Sequence, residues 1–233
     1  MKGKYSVRIG VSDLRAEPKF RSERVDQSIF GETVEVLEDS GTDYVKVRAA
    51  DGYEAYTMRY AIGPALGRTQ YKIAETWRGG DIVLPIGSLL SQRDIDRLRV
   101  PQRYWRETAY RQDLLKFAER YLGVPYLWGG VTEMGIDCSG FTQRIYSFNG
   151  MLLPRNADMQ EKLGTEVRSL KDAEKGDLVF FPGHVAMYAG DGEIIHANLH
   201  NQRVTYTDLR SSEKYSRSLR ERITSIKRIE IPH

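Results

Sequence analysis

The chain has 233 residues, of which 40% are hydrophobic and 29% charged, so it has room for one large or two modest globular domains. Its 35 basic and 32 acidic residues leave a net charge of only +3, which gives no reason to expect a nucleic-acid partner. No stretch approaches the roughly 18 apolar residues that a membrane-spanning helix needs.

The start of the chain lacks the apolar core of a signal peptide, which favours a cytoplasmic location. An exported protein is the alternative, because removal of a signal segment would leave the same pattern. A single cysteine excludes an internal disulfide and fits a reducing compartment without requiring one.

Residues 1–65 are predicted to form a small all-β barrel. Short β-prone runs alternate with turn signals such as Asp51-Gly52, a spacing typical of such barrels. The predicted strands cover residues 5–11, 33–37, 44–48 and 52–57. Residues 66–105 are predicted to be either an elaborated linker or part of a second small barrel.

A helix is predicted over residues 108–122, ending at Gly123 with Pro125 just beyond it. Its apolar spacing predicts that five side chains point inward: Tyr110, Leu114, Leu115, Ala118 and Tyr121.

A second helix is predicted to begin near Cys138, the only cysteine. Phe141, Ile145 and Phe148 form a helical apolar stripe, and Asp137 is a candidate N-cap. The unpaired N–H groups and the dipole of a first turn favour a thiolate, so the placement suggests a nucleophile. The competing interpretation is a small buried hydrophobic residue, which is the usual fate of a lone cysteine.

Residues 176–199 are predicted to form a β-hairpin with His184 on one strand and His196 on the other. A two-residue loop at Asp191-Gly192 would turn His184 away from His196, because side chains alternate along a strand. A three-residue loop with Gly192 left-handed in a bulge would pair Ala186 with His196 and bring both imidazoles to one face. A catalytic role requires the latter register.

If both imidazoles face Cys138, one can take the thiol proton while the other holds the first in its tautomer. Each histidine alone could instead be structural, and His200 and His233 are assigned that role. A metal site is not expected, since no close Cys-x-x-Cys or His-x-x-x-His pair supports one. The basic stretch 210–228 is predicted to be a solvated loop that leads into a last strand, residues 223–231.

Taken together, these segments resemble the NlpC family of cell-wall cysteine peptidases, which have a papain-like fold. The resemblance covers about half of the chain and depends on the order of several short motifs. They are GVPYLWGG at 123–130, DCSGF at 137–141, LPR at 153–155, GDLVFF at 176–181, HVAMY at 184–188 and IHA at 195–197.

The resemblance implies an α+β catalytic domain over residues 106–233, in which a helix packs on an antiparallel sheet. It implies Cys138 as nucleophile, His184 as general base and acid, and His196 as its orienting partner. Tyr126 would lie beside the sulfur with its hydroxyl near the developing oxyanion. The alternative for both Tyr126 and Trp128 is a role as aromatic core residues, and for Trp128 the two interpretations are about even.

Within the family, the chain is most similar to the subgroup that cleaves γ-D-glutamyl–diamino acid bonds. There the residues flanking the cysteine recognise the free amine of an N-terminal L-alanine. This implies Asp137 as charge partner and Ser139 as hydrogen-bond acceptor, with Trp128 and Asn156 also in the substrate-binding set. Members tend to carry aspartate in place of Asn156, and asparagine keeps an acceptor but loses the charge.

The N-terminal region resembles a bacterial SH3-like domain, a module that often accompanies these peptidases. The matching motifs are DLR at 13–15, QSIFGE at 27–32, YVKVR at 44–48 and DGY at 51–53.

The function implied is a cysteine endopeptidase of the γ-D-glutamyl–L-diamino acid (diaminopimelate) bond in murein peptides with a free N-terminal L-alanine, acting in cell-wall recycling. No cofactor is expected, and a monomer is the default. The alternatives are an acyltransferase or amidase of the same fold and a non-catalytic wall-binding protein.

Overall fold

The computed structural model describes residues 2–231, and the chain divides into two compact units. The first unit ends at Tyr110 and the second begins at Arg111. The catalytic domain was expected to begin at residue 106, five residues earlier. His233 lies outside the described residues. No helix among residues 2–231 has the length and apolar character needed to cross a membrane.

The first part of unit one is a seven-stranded antiparallel sheet with the order β3-β2-β6-β5-β4-β1-β7. Its strands are β1 (Gly3–Val7), β2 (Val11–Arg15), β3 (Arg24–Ile29), β4 (Thr33–Asp39), β5 (Tyr44–Arg48), β6 (Glu54–Met58) and β7 (Ile62–Pro64). Valines on alternate positions of β4 and β5 supply much of its core. The all-β prediction for this region is confirmed.

The predicted strand over residues 5–11 is divided in two, since β1 ends at Val7 and β2 begins at Val11. Gly10 lies in the interruption. A Cβ at this position would lie 2.0 Å from the carbonyl oxygen of Val83, so only glycine allows this close approach of two backbones.

Residues 66–110 complete the first unit with short strands and one helix. These are β8 (Tyr71–Ile73), β9 (Trp77–Gly79), β10 (Ile82–Leu84), β11 (Leu89–Leu90), α1 (Gln92–Leu98) and β12 (Trp105–Glu107). They form a β11-β8-β12 sheet and a β9–β10 hairpin around a core that includes Phe30, Ile73, Trp77, Leu84 and Leu90. The segment is therefore packed rather than extended.

The second unit contains a six-stranded antiparallel sheet with the order β15-β20-β16-β17-β18-β19. Its elements are α2 (Leu114–Glu119), β13 (Val131–Thr132), β14 (Gly135–Ile136), α3 (Cys138–Phe148), α4 (Ala157–Gln160), β15 (Thr165–Glu166), β16 (Leu178–Phe181), β17 (His184–Gly190), β18 (Glu193–Asn198), β19 (Arg203–Asp208), α5 (Lys214–Glu221) and β20 (Ser225–Arg228). Helix α3 packs on β17 and β18. The predicted α+β architecture, a helix on an antiparallel sheet, is confirmed.

Helix α2 is shorter than the predicted helix 108–122. Asp113 is its N-cap and accepts a hydrogen bond from the Lys116 N–H, so the helix begins at Leu114. The preceding segment is held by a hydrogen bond from the Gln112 N–H to Asn149, and Tyr110 is exposed rather than inward. The side chain that fills the core in this helix is Phe117, together with Ala118.

The basic stretch 210–228 is not a solvated loop throughout. Helix α5 occupies its middle, because Tyr215 and Leu219 are spaced one turn apart and pack against the sheet. The predicted last strand is also shorter, since β20 covers Ser225–Arg228.

Candidate active site

Cys138 is the first residue of α3, and Asp137 is its N-cap as predicted. The Asp137 backbone is extended, and its side chain accepts a hydrogen bond from the Gly140 N–H at 2.8 Å. Cys138 itself is only 7% exposed. Phe141, Ile145 and Phe148 are all buried, so the predicted apolar stripe holds this helix in the core.

The register of the β17–β18 hairpin brings the two histidines to one face. Met187 pairs with Ile195 and Tyr188 with Ile194, so the next position along the ladder sets Ala186 opposite His196. His184 lies two residues further along the same face. The register that a catalytic role requires is confirmed.

The turn that produces this register differs from the prediction. Gly190 pairs with Glu193 across a two-residue turn, Asp191-Gly192, and both turn residues have a positive φ. The extra residue is Ala189, which forms a bulge within β17 between Tyr188 and Gly190. The expected three-residue loop was wrong, and the bulge restores the alternation that a two-residue loop alone would have reversed.

The two imidazoles are joined directly. His184 Nε2 lies 2.7 Å from His196 Nδ1, and His196 is fully buried. Since Nε2 of His184 is occupied by this contact, Nδ1 is the nitrogen left for a reacting group. The opposite side of His196 is also bonded, with Nε2 3.0 Å from Thr207 Oγ1 on β19.

The Cys138 side chain contacts the main chain of β17. Its sulfur accepts hydrogen bonds from the N–H groups of Val185 and Ser139, and Val185 is the residue after His184. Within residues 2–231, no direct hydrogen bond joins the thiol to His184. Catalytic hydrogen bonds are often long without substrate. The Val185 contact places the thiol next to the residue that follows His184 on β17.

Burial controls the protonation of the pair. It raises the pKa of the Cys138 thiol to about 11, and the adjacent Asp137 carboxylate adds to the rise. Burial lowers the pKa of His184 to about 4, with a further lowering from the positive charge of Arg222. The resting form at neutral pH is therefore a thiol beside a neutral imidazole. The sequence had favoured a thiolate at Cys138, and this expectation is corrected. The loss of hydration on burial raises the pKa of the thiol by more than the helix N-terminus lowers it.

Tyr126 lies near the nucleophile, as expected. Burial raises the pKa of its phenol, with a contribution from the nearby Cys138 and Asp137. The hydroxyl stays protonated across the physiological range and can donate a hydrogen bond. The Cys138 N–H, in the first turn of α3, has no intrahelical acceptor and is a second candidate donor.

Asp137 is paired with Arg155, a contact that the sequence did not predict. Arg155 Nη1 lies 3.0 Å from one carboxylate oxygen and Nη2 lies 2.5 Å from the other. Gly129 and Gly140 donate N–H groups to the same two oxygens. Arg155 also donates to Ser139 Oγ at 2.9 Å. Arg155 belongs to the LPR motif at 153–155, but its pairing with Asp137 is visible only in the fold.

The remaining predicted substrate-binding residues lie at the surface. Trp128 is 60% exposed, which excludes the core-filling alternative for this residue. Asn156 is exposed at the N-cap of α4, and its side chain makes no capping hydrogen bond.

His200 stacks on Tyr215 with ring centroids 4.0 Å apart. Among residues 2–231, no three His, Cys, Asp or Glu side chains converge as a metal site.

Two protein families match separate parts of this chain. The NlpC/P60 family matches residues 123–222, and the bacterial dipeptidyl-peptidase Sh3 domain matches residues 14–57. A dipeptidyl-peptidase 6 from Lysinibacillus sphaericus is 28% identical over 93% of this chain and 96% of its own length. A gamma-D-glutamyl-L-lysine dipeptidyl-peptidase from Bacillus cereus is 41% identical, over 39% of this chain and 29% of that longer protein.

A solved structure shares the fold along the whole chain. It is that of an NlpC/P60 family protein from Bacillus cereus, with a TM-score of 0.76 and 20% sequence identity. The similarity covers 98% of this chain and 100% of that one.

Proposed function

We propose that this chain, a member of the NlpC/P60 peptidase family with a bacterial SH3 domain before its catalytic domain, hydrolyses the γ-D-glutamyl–L-diamino acid bond of murein peptides. The observation that carries the proposal is the contact of Cys138, at a helix N-terminus, with β17, the strand that bears His184. The His184 imidazole is in turn hydrogen-bonded to His196 on β18. The names of the relatives support the substrate. A peptidase that removes the N-terminal dipeptide from L-Ala-γ-D-Glu-diaminopimelate cleaves this bond.

The first step forms a thioester. The sulfur of Cys138 attacks the γ-carbonyl carbon while its proton passes to Nδ1 of His184. Because the thiol is neutral at rest, this transfer accompanies the attack. The Cys138 N–H and the Tyr126 hydroxyl can donate to the oxyanion that develops on the carbonyl oxygen. His196 holds the His184 imidazole through the 2.7 Å hydrogen bond.

The second half returns the enzyme to its starting form. Collapse of the tetrahedral intermediate breaks the C–N bond, and the proton on His184 goes to the departing amine of the diamino acid. Water then attacks the thioester, again losing a proton to His184, and releases L-Ala-γ-D-Glu and the thiol. Each step uses side chains and water, so the proposed mechanism needs no metal or organic cofactor.

The test is incubation of the protein with L-Ala-γ-D-Glu-diaminopimelate and with its L-lysine counterpart, followed by mass spectrometry. We expect release of the dipeptide, and a loss of at least about 1000-fold in Cys138→Ala with the fold retained. Added hydroxylamine or amine distinguishes the alternatives, since an acyltransferase would give mainly the aminolysis product. Intact substrate after prolonged incubation would contradict both and favour a binding protein.

The preferred substrate is proposed to be a free peptide with an N-terminal L-alanine, as produced when wall material is recycled. A dipeptidyl-peptidase needs such a free amino end, whereas the L-alanine of intact wall is acylated. We place this step in cytoplasmic recycling of murein peptides. Subcellular fractionation with an antibody to the protein tests the location, and recovery in the exported fraction would contradict it.

A further inference from the structure

Thr207 extends the histidine pair by one residue. It lies on β19, where Thr205 is directly opposite His196 and Thr207 follows two positions along the same face. Its Oγ1 lies 3.0 Å from His196 Nε2, and the side chain is only 8% exposed. The line of side chains is therefore His184, His196 and Thr207, and Cys138 contacts Val185, the residue after the first member of the line.

The direction of the hydrogen bonds along this line determines whether His184 can act as a base. A free lone pair on Nδ1 requires the proton of neutral His184 to be on Nε2. That N–H then donates to Nδ1 of His196, which must carry its own proton on Nε2. His196 is fully buried, so this N–H needs a protein acceptor, and Thr207 Oγ1 is the one within hydrogen-bond distance.

The reverse direction inactivates the pair. If the Thr207 hydroxyl donated to His196, the His196 proton would be on Nδ1 and would donate to Nε2 of His184. The His184 proton would then be on Nδ1, where it would block proton transfer from the thiol. The two arrangements use the same heavy-atom positions and differ only in the protons.

We propose that Thr207 is a positioning residue whose hydroxyl oxygen accepts the Nε2–H of His196 and so keeps Nδ1 of His184 free to receive the Cys138 proton. The inference rests on the proposed function for its catalytic consequence. The tautomer that it assigns is a property of the protein itself and can be measured without any substrate.

The kinetic test compares Thr207→Val, which keeps the shape but removes the acceptor, with Thr207→Ser, which keeps the oxygen. We expect kcat to fall about ten- to a hundredfold in the valine variant with KM little changed, and to recover to within about threefold of the parent in the serine variant. Thr205→Val is the matched control. That threonine lies opposite His196, but its hydroxyl bonds to the Tyr206 carbonyl oxygen, so we expect unchanged kinetics.

The second readout is the ¹⁵N NMR spectrum of the imidazoles in protein labelled at histidine. We expect His196 protonated on Nε2 in the parent and in Thr207→Ser, and a shift of this population in Thr207→Val. A parent protein with the His196 proton on Nδ1 overturns the inference, as does equal loss of kcat in both Thr207 variants. If the parent cleaves no murein peptide but shows the expected tautomer, the proposed function fails and the positioning role stands.

Discussion

Arg155 forms a two-pronged ion pair with Asp137, the residue immediately before the nucleophile, and both side chains are buried. The pair holds the N-terminus of α3 from outside the helix, because Arg155 comes from the segment before α4 and also bonds Ser139. Gln160 reinforces the link by donating to the main-chain carbonyls of Ser139 and Pro154. Cys138 is thus fixed on both flanks.

Asp137→Asn should destabilise the catalytic unit by about 3–5 kcal/mol, because it removes the carboxylate charge that faces the buried Arg155 guanidinium. The amide oxygen of asparagine can still accept the Gly140 N–H. The decrease in stability therefore measures the loss of the negative charge and not the loss of the N-cap. Urea unfolding measures the change. The double variant Asp137→Asn/Arg155→Gln is the control, and it should lose less than the sum of the two single variants. Strict additivity would contradict the coupling.

Asp137 is also predicted to recognise the free amine of the substrate, a role that stays a prediction. Its two oxygens already accept N–H groups from Gly129, Gly140 and Arg155. If it also binds the amine, Asp137→Asn should raise KM more for L-Ala-γ-D-Glu-diaminopimelate than for the N-acetylated peptide. Equal losses on the two peptides would assign the residue to structure alone.

Alkylation of Cys138 should accelerate with pH through the neutral range. The thiol pKa is about 11. At pH values below 11, the reactive thiolate fraction therefore increases about tenfold for each unit by which the pH is raised. Cys138 is the only cysteine, so the mass gained with iodoacetamide reports this residue alone. A rate that is constant between about pH 6 and pH 9 would instead indicate a resting thiolate and contradict the neutral pair.

Stability should fall as the pH decreases from about 6.5 to about 4. The pKa of folded His184 is about 4, while the unfolded residue keeps the ordinary value of 6.5, so in this window only the unfolded chain binds the proton. The loss amounts to at most about 1.4 kcal/mol per pH unit for this residue. Urea unfolding at several pH values should give a shallower dependence for His184→Asn. Parallel curves for parent and variant would refute the assignment.

Gly190→Ala should reduce activity by disturbing the bulge that aligns the histidines. Gly190 has a φ of +98°, which a residue with a Cβ adopts only under strain. Relief of that strain by a shifted register would turn His184 away from His196, and we expect kcat to fall at least about tenfold. Gly41→Ala is the control, since Gly41 also has a positive φ but lies in the β4–β5 turn. Comparable kcat values in the two variants would argue against the bulge.

The sequence allowed prediction of the elements that carry local signals. Asp137 before a helical apolar stripe predicted the start of α3. The requirement that His184 and His196 lie on the same face predicted the register of the hairpin. The bulge at Ala189 could not be predicted, because an alanine bulge has no local signature and two turn types give the same final register.

Contacts between distant segments were beyond sequence reasoning. The partners of Arg155 and Thr207 follow from how α4 and β19 pack, and neither residue has a neighbour in sequence that indicates its role. The thiolate expectation failed for a related reason. A helix terminus is visible in sequence, whereas the burial of Cys138 depends on everything packed around it.

Ten of the eleven residues of α3 are buried, so the nucleophile lies on the least solvent-accessible helix of its unit. Such a segment exchanges its amide hydrogens only when the surrounding core opens as a whole. The active site is consequently expected to stay intact for as long as the catalytic unit stays folded, and to be lost when that unit unfolds. A heated sample is expected to lose turnover along its melting curve, without an earlier stage in which the reaction centre alone comes apart.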